Sequence, residues 1–226
     1  MEQLITILLI IHVAAGSISL LTGLSAIASK KGGKTHNLVG KIFFWNMAIV
    51  FVTALFISAY RFIPFLFFIS VFSFYTILSA YRILKLKDLY NDGRPKYYDW
   101  IISGMALLFN GALVVYSIYL FSLYGYNNLA TLSIIFGLGG LINVYGNTRP
   151  FYKKPVDRNF WLRYHIGNMM GGFIAATTAF SANTLMFMPV LIKWLWPAIL
   201  GFPIIIYFTR KYAPKLPSLY ADKTAI

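Results

Sequence analysis

Long apolar runs constrain this chain more than any other feature. A transmembrane helix needs about 20 consecutive, mostly apolar residues. Seven windows qualify: roughly 3–28, 37–60, 62–84, 98–124, 128–147, 159–183 and 187–209. The chain is 59% hydrophobic and 12% charged, with a mean hydropathy of +0.69, well outside the composition of soluble domains. The reading is an all-α polytopic membrane protein, a bundle of seven transmembrane helices in residues 1–210, followed by a cytoplasmic tail, 211–226.

The connections supply the orientation. Of the 20 Lys and Arg residues, all but Arg61 and Lys193 fall in or beside the first, third and fifth connections or the C-terminal tail. Basic residues concentrate on the cytoplasmic side of membrane proteins, so the N-terminus is expected outside and the C-terminus inside. The asymmetry also checks the helix count, because one missed or invented crossing scrambles it. The net charge of +14 is accounted for in this way and does not point to nucleic acid. With no cysteine in the chain, disulfides, thiolate metal sites and cysteine nucleophiles are excluded. Glu2 and Gln3 run directly into an apolar segment without a basic leader or a small-residue cleavage site. Residues 3–28 are therefore expected to stay as the first helix.

The stretch 159–183 is expected to organise the bundle. At 3.6 residues per turn, His165, Asn168, Gly172, Ala176 and Ala179 share one face, which neighbouring helices can approach closely. The first helix has a similar stripe, His12, Gly16, Ser19 and Gly23. The fourth lines up Asp99, Ser103, Ala106, Asn110 and Ser117, and the fifth stacks Asn143 and Asn147 beside Gly140. Pro64 suits the first turn of the third helix, making a tight hairpin with the second. Pro197 and Pro203 are expected to kink the seventh.

Polar side chains are costly in hydrocarbon, so these stripes are expected to face protein or a hydrated cavity. Depth decides which can meet. At about 1.5 Å per residue, His12 lies about 24 Å from the cytoplasmic surface, with Asn110, Thr177 and Thr178 as its reachable neighbours. His36, Asp99, Asn143, Asn147, Arg163, His165 and Asn168 are expected in a cytoplasmic-half cluster, with His36 and Arg163 at its mouth. Two accounts of the cluster stand side by side. One is a set of interhelical hydrogen bonds; the other is a polar binding cavity in which Asp99 or His165 titrates.

Cofactor chemistry is narrowed by the same counting. A bis-histidine haem b site needs two histidines at matching depth; only His36 and His165 qualify, and His36 reads as part of a loop after Gly-Gly-Lys. A zinc site wants three or four ligands at one level, whereas the three histidines lie at different levels, so no metal is expected. Lys193 is about 9 Å inside the outer end of its helix, with no carboxylate at that depth. Snorkelling explains it better than a retinal Schiff base.

The motifs HVAAG at 12–16, KKGGKTHNLVGKIFFWNM at 30–47 and HIGNMMGGFIAATTAF at 165–180 resemble a family of bacterial predicted membrane proteins classed as a domain of unknown function. The resemblance implies that His12, His36 and His165 are marked positions. It brings no activity with it.

The functional expectation is a multi-pass protein of a bacterial inner membrane that binds or transports a small solute, with proton coupling, through His12, Asp99, Asn110, Asn143, Asn147, His165 and Asn168. The alternatives are electron transfer through haem b on His36 and His165, or a structural role without a catalytic site. Partners are the lipid bilayer and a small-molecule ligand.

Overall fold

The computed structural model describes residues 1–213. Seven helices follow one another: α1 (Glu2–Ala28), α2 (Lys34–Tyr60), α3 (Pro64–Arg82), α4 (Tyr97–Tyr124), α5 (Asn128–Tyr152), α6 (Phe160–Thr184) and α7 (Val190–Tyr212), with short 3-10 turns at Ile83–Lys85 and Lys87–Asn91. No strand occurs among the described residues. All but α6 are long and apolar enough to cross a membrane. At 25 residues α6 has the length, but its histidine, asparagines, threonines and glycines dilute its apolarity. It lies against α1, α3 and α7, so protein supplies the surroundings its sequence needs.

Local signals set the helix ends. Pro64 occupies the first turn of α3, where its missing N–H costs nothing. Asn127 caps α5 by accepting from the Ala130 N–H at 2.8 Å. Gly125, at φ +62°, stops α4 in a conformation that favours glycine. Four expected boundaries move by three residues or more, one of them the start of the seventh helix, at Val190 and not at residue 187. The second helix starts at Lys34, so His36 is helical and not in a loop. The fifth continues through Pro150 to Tyr152, five residues past its expected end, which places Asn147 inside the helix. The seventh runs to Tyr212, so Lys211 and Tyr212 belong to the bundle; the remainder of the expected tail, from residue 214, lies outside the described residues.

The hub is α3, not α6. The hairpins α1/α2, α4/α5 and α6/α7 surround α3, which touches α2, α4, α5 and α6. Close approach depends on residues without a Cβ. A Cβ at Gly172 of α6 would lie 2.2 Å from the side chain of Ile77, which is fully buried on α3. A Cβ at Gly140 of α5 would lie 1.7 Å from Asn110 Oδ1 on α4. Aromatic rings fill the remaining space: Phe44 stacks on Tyr81 with centroids 4.5 Å apart, and Phe51 on Phe74 at 4.6 Å. The aromatic crowd in α3 therefore packs partly against other helices. At one end of the bundle, Phe65, Leu113 and Leu132 form a buried cluster with Trp194 packed against it. The opposite end carries the basic connections. There Lys87 stands over the Trp161 ring at 3.9 Å, Lys31 over Phe208 at 5.2 Å, and Lys154 pairs with Asp92 at 2.7 Å.

Gly140→Ala is expected to destabilise the protein by about 1–3 kcal/mol through overpacking. Gly139→Ala, where an added Cβ meets nothing within 4 Å, should cost none. Thermal unfolding of the two variants in detergent checks the contrast.

Candidate functional site

The expected polar cluster divides into separate sites. The first is centred on Asp99, 3% exposed in the first turn of α4. Its carboxylate accepts from Arg82 Nε at 2.5 Å, Arg82 Nη2 at 3.1 Å and the Lys96 backbone N–H at 2.8 Å. Arg82 lies in the last turn of α3 and also stands over the Tyr98 ring at 4.7 Å. Each charge has the sign its helix end prefers: carboxylate at the start of α4, guanidinium at the end of α3. Beside the pair is a cavity of about 30 Å³ lined by Tyr75, Ser103, Asn147 and Tyr164, on the scale of an ordered water. Asp99 is thus a doubly held ion-pair partner and helix cap.

The second site is a ring of amides. Asn168 Nδ2 donates to Asn147 Oδ1 at 2.6 Å, Asn147 Nδ2 to Asn143 Oδ1 at 3.1 Å, and Asn143 Nδ2 to Asn168 Oδ1 at 3.1 Å. Thr76 of α3 shares its one hydroxyl hydrogen between the Phe72 carbonyl at 3.0 Å and Asn143 Oδ1 at 3.3 Å. These bonds link α5, α6 and α3, each contributing about 0.6–2 kcal/mol. Here the network is closed upon itself and serves as an interhelical clamp.

His12 and Asn110 stand apart from both. His12 Nδ1 lies 2.9 Å from Thr53 Oγ1, whose own hydrogen goes to the Ile49 carbonyl at 2.7 Å, so the hydroxyl accepts from the ring. Its neighbour is Thr53 on α2, not the expected Asn110, Thr177 or Thr178, because α1 pairs chiefly with α2. Asn110 is 1% exposed, donates to Ala106 O at 2.7 Å and presses Oδ1 against Gly140. Among the described residues that oxygen has no hydrogen-bond partner. Asn110 is a packing residue of the α4/α5 interface. Arg163 binds Asp157.

The third site is a cavity of about 470 Å³ at the basic end, between α1, α2, α3, α6 and α7. His36 and His165 both line it. Its walls are otherwise largely apolar (Phe43, Ile166, Met169, Met170, Phe173), and Lys31, Lys41 and Lys87 stand around it. The two histidines are held by the same device. His36 Nδ1 is 3.0 Å from Ala26 O in the last turn of α1; His165 Nδ1 is 3.0 Å from Ala80 O in the last turn of α3. A carbonyl only accepts, so in both rings Nδ1 carries the proton and Nε2 is left over. Lys31 shares the first of these caps, donating to Ala26 O at 3.1 Å and to Ile27 O. Burial pushes its ammonium below the ordinary lysine range.

Residues 9–148 match the model of the family described as predicted membrane protein (DUF2306). The chain belongs to this family. The matched region runs from α1 nearly to the end of α5 and includes His12, His36 and the Asp99 site; α6, with His165 and Asn168, lies beyond it. No curated protein and no solved structure matches the chain. Membership establishes a multi-pass membrane protein and leaves the activity to be argued from the sites.

Several functional contacts escaped sequence reasoning. Arg82 carried a usable signal: Asp99, the one carboxylate within the seven expected apolar windows, requires a cation at its own depth, and the end of the third helix offers one. Thr53 and Thr76 carried none, because helix periodicity does not say which helices are neighbours, whereas the pairing of Arg163 with Asp157 is local, six residues apart at the start of α6. The ion pair makes a quantitative case. Arg82→Met, leaving Asp99 buried without its cation, should cost about 3–5 kcal/mol, and the double variant Arg82→Met/Asp99→Asn should recover part of that loss. Equilibrium unfolding of the four-member cycle measures it.

Proposed function

We propose that the protein binds a small amphipathic anion in the cavity lined by His36 and His165, reached from the cytoplasmic side of a bacterial inner membrane. The observation that carries this reading is the makeup of that cavity, an apolar chamber with lysines around it. Its volume of about 470 Å³ is within the range of ligand pockets, about 300–1,000 Å³. Apolar walls recognise a hydrophobic body, and Lys31, Lys41 and Lys87 suit a negatively charged end. The positive-inside rule favours the cytoplasmic side for these lysines. The aromatic and aliphatic cluster around Phe65 and Trp194 fills the space between helices at the other end, which supports a site served from one side. Among the expected solute-binding residues His165 fits this role best, with His36 beside it. Asp99 and the ring of Asn143, Asn147 and Asn168 have their hydrogen bonds made to other parts of the protein, and Asn110 is pressed into the α4/α5 interface, which favours a structural part for them. Transport, with or without a proton, would build on this binding step.

Gly40 provides a clean test. It lines the cavity, and a Cβ there meets open space. Gly40→Phe should therefore fill the chamber while leaving the thermal midpoint equal or higher, since glycine inside a helix costs about 0.5–1 kcal/mol relative to alanine. A photoactivatable oleate analogue in membranes should label peptides of α2 and α6 around the cavity, and Gly40→Phe should cut that labelling about tenfold. Labelling spread evenly over the lipid-facing helices and indifferent to Gly40→Phe would sink the reading.

A further inference from the structure

We infer that the histidine cavity is a site for b-type haem, with Nε2 of His36 and Nε2 of His165 as the two axial ligands; this rests on the cavity being a binding site for an amphipathic anion and names the molecule. The starting point is the nitrogen each ring has left over. Both rings spend Nδ1–H on a helix-terminal carbonyl, so each neutral ring keeps a lone pair on Nε2. Neither Nε2 has a partner among the described residues, and both rings line one apolar chamber. Such a chamber asks for a Lewis acid or a hydrogen-bond donor.

The ligating device is already in place. A metal-bound histidine characteristically gives its other N–H to a carbonyl, carboxylate or water, which fixes the ring and raises its basicity. Ala26 and Ala80 do this for His36 and His165. A bare ion is a poor fit: it would need three or four protein ligands, and among the described residues no group of three His, Cys, Asp or Glu side chains comes together. Haem brings four nitrogens of its own and asks the protein for two. Its macrocycle suits walls such as Phe43 and Phe173, and its propionates give Lys31, Lys41 and Lys87 a partner. A quinol would satisfy the two lone pairs but leave those lysines without an anion.

The test uses the full chain in lipid nanodiscs, titrated with ferric protoporphyrin IX. One equivalent should bind saturably and give a six-coordinate, low-spin spectrum. His36→Gln and His165→Gln each keep an N–H for the helix carbonyl but offer no comparable ligand. Each should bind hemin at least about tenfold more weakly and turn high-spin. Metal-free protoporphyrin IX has the same shape and carboxylates without the Lewis acid, so it should bind wild type and both Gln variants equally, which also reports that their cavities are intact. The inference is overturned by a wild-type chain that binds hemin no better than Gly40→Phe does. A low-spin spectrum that survives both Gln substitutions overturns it equally, as does a metal-free porphyrin that discriminates the variants as hemin does. Oleate labelling separates the two readings: a chain that takes oleate and refuses hemin loses only the haem assignment, whereas one that takes neither loses the cavity reading as well.

Discussion

Unsatisfied groups at helix ends are the constraint on which this bundle depends. The last carbonyls of a helix have no partner within it, and in a protein surrounded by lipid they must find one in the chain or at the membrane surface. At the basic end, His36 and Lys31 close the last turn of α1, while His165 closes that of α3. Arg82 and Asp99 match the end of α3 to the start of α4. These caps set the ends of α1 and α3 beside the cavity that α2 and α6 also line.

The same economy explains the middle of the bundle. Without a hydrophobic drive between helices in lipid, association relies on close packing and on hydrogen bonds between helices. Gly172 against Ile77 and Gly140 against Asn110 supply the first; the ring of Asn143, Asn147 and Asn168 supplies the second. Polar residues in this protein therefore do two jobs. Most hold helices together and have their bonding capacity used up. Among the described residues, His36 and His165 each keep a free Nε2 beside an open volume, and the proposed function rests there.

Much of this was legible in the chain. The apolar runs, the loop charges and the small-residue stripes pointed to seven helices, and the need to bury Asp99, Asn168 and Asn147 placed them inward. Their partners were not legible. Asp99 reads alike whether it titrates in a cavity or pairs with Arg82, and His12 could not be matched with Thr53 before α1 was known to pair with α2. His36 and His165 use the same capping device, yet His36 caps the preceding helix and His165 caps α3, across the α4/α5 hairpin in the chain. That asymmetry belongs to contacts and leaves no periodic trace.

By itself, then, the sequence determined the class of protein, the number of its helices and which of their faces must avoid lipid, because hydropathy and the 3.6-residue repeat act over neighbouring residues. The tertiary structure decided that α3 and not α6 is the hub, which polar groups satisfy one another, and that His36 and His165 share a cavity. Those outcomes depend on which helices lie side by side, a choice made by the fit of surfaces such as Gly172 on Ile77, whose partners are far apart in the chain.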